Sequence, residues 1–251
     1  MDYTIAEEFV LPSKGKVYAK EINPVVKLRS MTTQDEMRRL APSELQYKNI
    51  CEVIDSCLLT DVGISSYDMC LADYQYLLTR LRIVTYGTDY KTVSTCPYCG
   101  LTNEITHDLN SIEVHECDIE EINKYLEFEL PVCKKKIKIG LQTPRSLDDI
   151  QKRNNELKKK SKGKAMDATF LYTMMSLIVT VDGEVMNAVD KEMFVNNLAM
   201  MDTNYIMKHA QKLVESFGVS TDVVNKCHLC GLDYKSSFRI TKEFFGPSID
   251  I

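Results

Sequence analysis

The sequence predicts an α+β fold, mainly helical, with short β-hairpins and a split four-cysteine zinc ribbon. Three observations carry that prediction. Apolar residues recur at intervals of three and four through much of the chain, the spacing of a buried helix face. The interval shortens to two around residues 93–109 and 125–141, as in strands with one buried side. Finally, the spacing of Cys96-Pro97-Tyr98-Cys99-Gly100 returns in Cys227-His228-Leu229-Cys230-Gly231.

In residues 1–30, Phe9-Val10-Leu11 and Val25-Val26-Lys27-Leu28 flank the turn formers Pro12-Ser13-Lys14-Gly15-Lys16, with Val17-Tyr18 between them, and two short strands around a turn follow. A first helix opens at Thr33, because Glu36 stands three residues on, the capping-box spacing. Tyr47, Ile50, Cys51, Ile54, Cys57 and Leu58 make one apolar stripe on a second helix. Leu71, Tyr74, Leu77, Leu78, Leu81, Ile83, Val84 and Tyr86 make another on a third, which Gly87 ends. The first knuckle then feeds a short strand. Leu126, Phe128, Leu130 and Val132, followed by Ile137, Ile139 and Leu141, alternate as a hairpin does, with Cys133-Lys134-Lys135-Lys136 in its turn. Lys158-Lys159-Lys160-Ser161-Lys162-Gly163-Lys164 reads as the frayed end of a helix running into a solvated linker, with a phosphate-binding strip as the alternative. Helical spacing resumes over 167–181, stops at the turn dipeptide Asp182-Gly183, and resumes over 190–217 as two helices separated near Asp202. Gly218 closes the last of them. The second knuckle leads into a strand through Tyr234, Phe238 and Ile240.

The chain has 251 residues, and its 31 basic against 36 acidic side chains give a net charge of 31 − 36 = −5. With 44% hydrophobic and 27% charged residues it has the balance of a folded globular protein. The acidic excess argues against a general nucleic-acid binder, whose affinity comes from Lys and Arg neutralising phosphates. The longest mainly apolar run, 170–181, contains Tyr172, Thr173, Ser176 and Thr180; it is too short to span a bilayer and reads as a buried helix. The acidic start, Met1-Asp2-Tyr3-Thr4-Ile5-Ala6-Glu7-Glu8, is unlike a secretory signal, so export by that route is not expected. Three regions follow from the organisation: 1–92, short strands and helices; 93–117 with 221–251, the two halves of the ribbon plus the tail; and 118–220, an inserted hairpin and helical region.

Nine cysteines in a chain without an export signal argue for reduced thiols over a disulfide framework. Two Cys-x-x-Cys-Gly knuckles supply four thiolates, the number a closed tetrahedral Zn²⁺ site needs, and each trailing Gly permits the left-handed backbone that turns amides toward sulfur. Cys96, Cys99, Cys227 and Cys230 are therefore the expected ligands of one structural Zn²⁺. A redox dithiol would need a strand and helix pattern that neither knuckle has. An iron–sulfur cluster is a further four-thiolate alternative. Cys51 and Cys57 fall in an apolar stripe and read as small core residues. His107, His115 and His209 are isolated, and His228 stands beside two better ligands.

No phosphate loop, dinucleotide fingerprint, nucleophile elbow or H-E-x-x-H motif occurs. Asp118, Glu120, Glu121, Asp148 and Asp149 read as helix-start charges on solvated faces. Four thiolate ligands leave no coordination position for a water nucleophile, so no enzymatic activity is expected. The tail, Phe244-Phe245-Gly246-Pro247-Ser248-Ile249-Asp250-Ile251, either folds back over the core or docks on a partner; in the second case Phe244, Phe245 and Pro247 are the partner-binding residues.

Leu11-Pro12-Ser13-Lys14-Gly15 with Tyr18, Leu28-Arg29-Ser30-Met31-Thr32-Thr33-Gln34-Asp35-Glu36, Tyr76-Leu77-Leu78 with Leu81-Arg82-Ile83-Val84-Thr85-Tyr86-Gly87, and Cys96-Pro97-Tyr98-Cys99-Gly100 follow one another in an order that resembles the base plate protein family of T-even-type contractile-tailed phages. The resemblance covers residues 9–110 and continues more loosely to Phe244-Phe245-Gly246-Pro247. It implies a structural or assembly protein of the tail baseplate, in the hub region, with other phage baseplate and hub proteins as partners and the virion or the host bacterial cytoplasm as its location. No membrane, small-molecule substrate or nucleic acid is among the partners expected. The alternative is a zinc-ribbon nucleic-acid-binding or transcription-associated protein, and a thiol oxidoreductase is a third reading.

Overall fold

The computed structural model describes residues 5–162, 165–237 and 242–245. Strand β1 (Ala6–Val10) pairs antiparallel with β2 (Val25–Arg29), with Ala6 opposite Arg29 and Val10 opposite Val25. Alternation turns Phe9, Val26 and Leu28 inward. In the intervening turn Gly15 has φ 73°, and a Cβ there would stand 3.0 Å from the Ile22 carbonyl oxygen. Glycine is required at that point for both reasons.

Helix α1 (Thr33–Leu40) is capped one residue earlier than the Thr33 and Glu36 spacing predicts. Thr32 is the N-cap: its hydroxyl accepts the Asp35 N–H at 3.3 Å, and the Asp35 carboxylate accepts the Thr32 N–H at 2.9 Å. Asp35 displaces Glu36 in this role because Arg29 Nη1 at 2.7 Å and Ser56 Oγ at 3.0 Å also donate to it. Burial alone would raise the pKa of Asp35, but the donations from Arg29, Thr32 and Ser56 outweigh it and hold the carboxyl well below the usual carboxylate range. Below its ordinary value of 3.8 the unfolded chain therefore binds a proton that the folded chain refuses. The stability Asp35 contributes, roughly 2–3 kcal/mol, is complete above that pH and is lost as pH falls toward the folded-state pKa. Thermal melts between neutrality and strong acid are expected to show a steeper acid limb for the unsubstituted protein than for Asp35→Asn; parallel limbs would contradict this.

Helix α2 (Lys48–Cys57) and helix α3 (Leu71–Tyr86) follow their predicted stripes, and α3 ends at Gly87 with φ 89°. Cys51, Ile54, Cys57, Leu77, Leu78 and Leu81 from these stripes join Phe9, Val26 and Leu28 in a first core. The hairpin β3 (Asp89–Thr95) and β4 (Thr102–Asp108) comes next, and then β5 (Val114–His115).

The chain continues through α4 (Ile119–Leu126), β6 (Glu127–Glu129), β7 (Lys136–Ile139), α5 (Pro144–Lys160), α6 (Thr169–Leu177), β8 (Ile178–Val181), α7 (Ala188–Asn196) and α8 (Met200–Ser216). The predicted hairpin is present as β6 and β7. The apolar run 170–181 is not one helix, however: its β-branched end, Ile178-Val179-Thr180-Val181, leaves the helix and adds to β7 as a third strand. Asp182 and Gly183, at φ 51° and 84°, then make the predicted turn. The break between α7 and α8 falls at 197–199; Asp202 lies inside α8 and is buried. Leu130, Ile137, Ile139, Met174, Ile178, Ile206 and Leu213 form a second core. Residues 163 and 164 of the lysine-rich run lie outside the described residues, and Lys158 is paired with Asp167 at 2.6 Å.

At the end of α8, β9 (Gly218–Val219) pairs antiparallel with β5, so the chain enters and leaves this region through one two-stranded neck, Val114 opposite Val219 and His115 opposite Gly218. Gly218 has φ 110°, and a Cβ there would meet the Ala72 Cβ of α3 at 2.9 Å. Strands β10 (Asp222–Lys226) and β11 (Asp233–Ser237) complete the described strands. Phe238 and Ile240, expected in the last strand, lie outside the described residues.

Buried carboxylates fasten segments that are remote in sequence. Asp73 of α3 accepts the Ser13 N–H at 3.0 Å and the Tyr18 hydroxyl at 2.7 Å. Asp202 accepts the N–H groups of Val132 and Cys133 at 2.8 and 3.1 Å. Asp148 corrects an expectation, since it is 1% exposed and not on a solvated face. It accepts the N–H groups of Tyr47 and Lys48 and the Tyr67 hydroxyl, capping α2 from a distant helix. Asp118, by contrast, caps α4 as expected of a helix-start charge.

Phe244 and Phe245, the described part of the tail, take the fold-back alternative. Phe244 and Phe245, in a 3₁₀ turn at Lys242–Phe245, are 0% and 1% exposed and belong to the first core. Tyr90 meets the Phe244 ring at 4.8 Å between centroids, and the Arg82 guanidinium sits 5.7 Å from it. The reading of Phe244 and Phe245 as partner-binding residues is corrected accordingly, because their rings are covered by their own chain. Pro247 lies outside the described residues.

Candidate metal centre

Two hairpins carry the two knuckles. In the first, β3 and β4 pair from Asp89 opposite Asp108 to Thr95 opposite Thr102; in the second, β10 and β11 pair from Asp222 opposite Ser237 to Lys226 opposite Asp233. The tips close identically. The N–H of Cys96 reaches the Leu101 carbonyl at 2.8 Å and that of Gly100 the Cys96 carbonyl at 3.0 Å; Cys227 with Leu232, and Gly231 with Cys227, repeat both bonds at 3.0 Å. Gly100 and Gly231 have φ 74° and 70°, as a knuckle requires. Sequence spacing marked the strand after each knuckle but not β3 or β10 before it, whose outer faces are largely polar.

The hairpins bring Cys96, Cys99, Cys227 and Cys230 together, with all four sulfurs within 4.8 Å of one another. Cys96 Sγ lies 3.8 Å from Cys230 Sγ, and Cys99 Sγ lies 3.5 Å from Cys227 Sγ. Both spacings are far beyond the ~2.05 Å of a disulfide. They fit a tetrahedron of thiolates around zinc, where a Zn–S bond of ~2.3 Å sets sulfur–sulfur edges of ~3.8 Å. Cys96 and Cys227 are buried, while Cys99 and Cys230 face solvent.

Electrostatics adds a second argument for a cation. The Cys230 amide, with that of Leu229, donates to Cys227 and lowers its thiol to about 6; at Cys99, against the downward pull of the Leu101 amide, desolvation and then the Cys227, Cys96 and Cys230 sulfurs push the thiol up to about 12. Cys230 is likewise raised, against the pull of the Leu232 amide, by burial and by the neighbouring sulfurs of Cys227 and Cys96. A divalent cation is what allows all four to ionise together. No other group of three or more His, Cys, Asp or Glu ligands occurs among the described residues, so His115 and Cys117 gain no third partner. Burial pushes the thiols of Cys51 and Cys70 up to about 12 and that of Cys57 to about 11, which makes them inert core groups.

Sequence reasoning passed over Asn103 and read Tyr234 only as a strand residue, although both stand beside the sulfurs. Each stands seven positions after the first cysteine of its knuckle, and both are buried where the hairpins meet. A polar residue at an alternating position gives no signal until the two hairpins are superposed by their knuckles.

A family model described as T4 bacteriophage base plate protein matches residues 3–246. No curated protein and no solved structure matches the chain. The matched span takes in both cores, both knuckles and the buried Phe244 and Phe245, so it embraces the whole described architecture. The chain belongs to the T4 bacteriophage base plate protein family.

Proposed function

We propose that this protein is a structural or assembly component of the hub region of a contractile tail baseplate, acting through contacts with other baseplate proteins. The family match over nearly the whole chain carries that reading. Zn²⁺ held by Cys96, Cys99, Cys227 and Cys230 would serve it by joining the two hairpins, so that the ribbon's surfaces are ordered before a partner docks and less entropy is lost on assembly. In this reading the regions 1–92, 93–117 with 221–251, and 118–220 act as three units around the metal and the β5–β9 neck, with Phe244 and Phe245 of the second docked into the core of the first. With four thiolates the metal has no open position and supplies shape, not reaction. The location that follows is the virion, or the host cytoplasm during assembly.

A nucleic-acid role finds less support. The exposed hairpin faces carry Asp89, Glu104, Asp108, Asp222 and Asp233 against Lys91, Lys226 and Lys235, an acidic surface where a phosphate binder needs a basic one. Co-purification from infected cells, followed by cryo-electron microscopy of tails and hub intermediates, tests the proposal. The expected result is density for this chain, or its stable complex, in the hub; absence from both tails and intermediates would refute it.

A further inference from the structure

Asn103 lies at the contact between the two hairpins, and its side chain is 2% exposed. Its Nδ2 donates to the Leu101 carbonyl at 3.1 Å, in its own hairpin, and faces Cys227 Sγ in the other at 3.8 Å. Its Oδ1 accepts the His228 N–H at 3.1 Å. The same Nδ2 lies 3.4 Å from the hydroxyl of Tyr234, which in turn reaches the Ser94 carbonyl at 3.4 Å. Ser94, Asn103, Tyr234 and the second knuckle are therefore linked across the gap between two strand pairs that share no ladder.

We propose that Asn103 is a positioning residue for the metal centre, setting the second knuckle against the first and donating to the Cys227 thiolate, with Tyr234 bracing it. The inference rests on the reading of the four cysteines as a zinc site and deepens it. Three considerations favour it. Asn103 is the residue whose side chain both receives a knuckle amide and approaches a ligand sulfur. Both groups of this buried amide have partners: Oδ1 takes the His228 N–H, and the two Nδ2 hydrogens are shared among the Leu101 carbonyl, the Cys227 sulfur and the Tyr234 hydroxyl. Groups that hydrogen-bond metal ligands also set affinity, since they fix a ligand's orientation before the metal arrives.

The test uses the full chain with Asn103→Leu, Asn103→Asp and Tyr234→Phe. Asn103→Asp keeps the size and the acceptor for the His228 N–H but removes the donor toward sulfur. Zinc affinity is measured by competition with a chromophoric chelator, and Co²⁺ substitution reports the thiolate-to-metal charge-transfer band. Both Asn103 variants are expected to bind zinc about 10–100-fold more weakly. Tyr234→Phe, which leaves the amide in place, is expected to lose less. Loss of a donor to a thiolate raises the energy of its electrons, so the band of Asn103→Asp should move to longer wavelength, a change that simple loosening of the turn would not produce. Zinc bound by the unsubstituted protein, with affinity and band unchanged in Asn103→Asp, would overturn the positioning role alone. Absence of zinc from the unsubstituted protein would overturn the metal reading and this inference with it. If Asn103→Leu fails to fold, Asn103→Asp and Tyr234→Phe still decide.

Discussion

Replacing Cys227 with Ser is expected to reduce bound zinc to a small fraction of one per chain and to unfold the ribbon. Tyr90 and Val223 tie the bases of the hairpins to the first core, but around the knuckles little apolar surface holds the two together. Their common core consists of Cys96, Cys227 and Tyr234, with Leu101 and Ile105 partly buried against it, and two of those five residues are metal ligands. An isolated two-stranded hairpin is marginal in water. Structural zinc contributes on the order of 10 kcal/mol of apparent binding energy at neutral pH, which exceeds anything so small an apolar cluster can supply. The consequence should be local. The second core and the β5–β9 ladder do not depend on the sulfurs, so the region between residues 118 and 217 should keep its helical signal. Limited proteolysis is expected to cut Cys227→Ser within residues 89–108 and 222–237 first. Cys133→Ser, which removes an exposed thiol outside the cluster, should keep both zinc and resistance. A Cys227→Ser protein with hairpins as resistant as the parent's would count against a metal-held ribbon.

Asp73→Ala is expected to destabilise the first core by about 3–5 kcal/mol through the neutral donors it leaves unpaired, a large part of the ~5–15 kcal/mol that holds a typical domain. The Asp73 carboxylate is fully buried and accepts three donors: the Ser13 N–H at 3.0 Å, the Ser13 hydroxyl at 2.5 Å and the Tyr18 hydroxyl at 2.7 Å. Burial pushes its pKa up, against the downward pull of Ser13 and Tyr18, so the carboxylate is costly to enclose and depends on those donors. Alanine would leave the Ser13 N–H and hydroxyl inside without this acceptor, at ~1–3 kcal/mol apiece, and the Tyr18 hydroxyl with only the Cys70 sulfur at 3.4 Å. The damage should spread because of where Ser13 and Tyr18 sit. The turn they flank gives the Pro12 carbonyl to the Cys117 N–H at 2.9 Å, and Tyr18 packs against both cores. Tyr18→Phe removes one of the three bonds and should cost about 1 kcal/mol. Urea unfolding followed by far-ultraviolet circular dichroism measures both. A loss below about 1 kcal/mol for Asp73→Ala would show that the turn is not anchored through this carboxylate.

Features that depend on near neighbours were legible in the sequence. Helix α3 could be read because its apolar stripe and Gly87 are local properties of sixteen residues and their cap. The ligand cysteines could be read because two Cys-x-x-Cys-Gly repeats specify both the turn and the number of sulfurs. What was not legible depends on partners far away in the chain. Asp148 resembles any helix-start carboxylate until it meets Tyr47 and Lys48, about 100 positions earlier. Asp202 resembles a helix break until it meets Val132 and Cys133. The cap of α1 moved from Thr33 to Thr32 because Arg29 and Ser56 converge on Asp35, which no window on the helix alone contains. Strand β8 was hidden because an apolar run at the end of a helix has no periodicity of its own, and only the edge of β7 decides its conformation. The fold-back of Phe244 and Phe245 likewise depends on a pocket built by Tyr90 and Arg82.

Metal analysis of the intact, reduced protein bears most directly on the whole interpretation. Native mass spectrometry combined with X-ray absorption at the zinc edge should find one zinc ion per chain with four sulfur neighbours at ~2.3 Å. A protein that folds fully without zinc, or whose zinc has nitrogen or oxygen neighbours in place of these sulfurs, would contradict it.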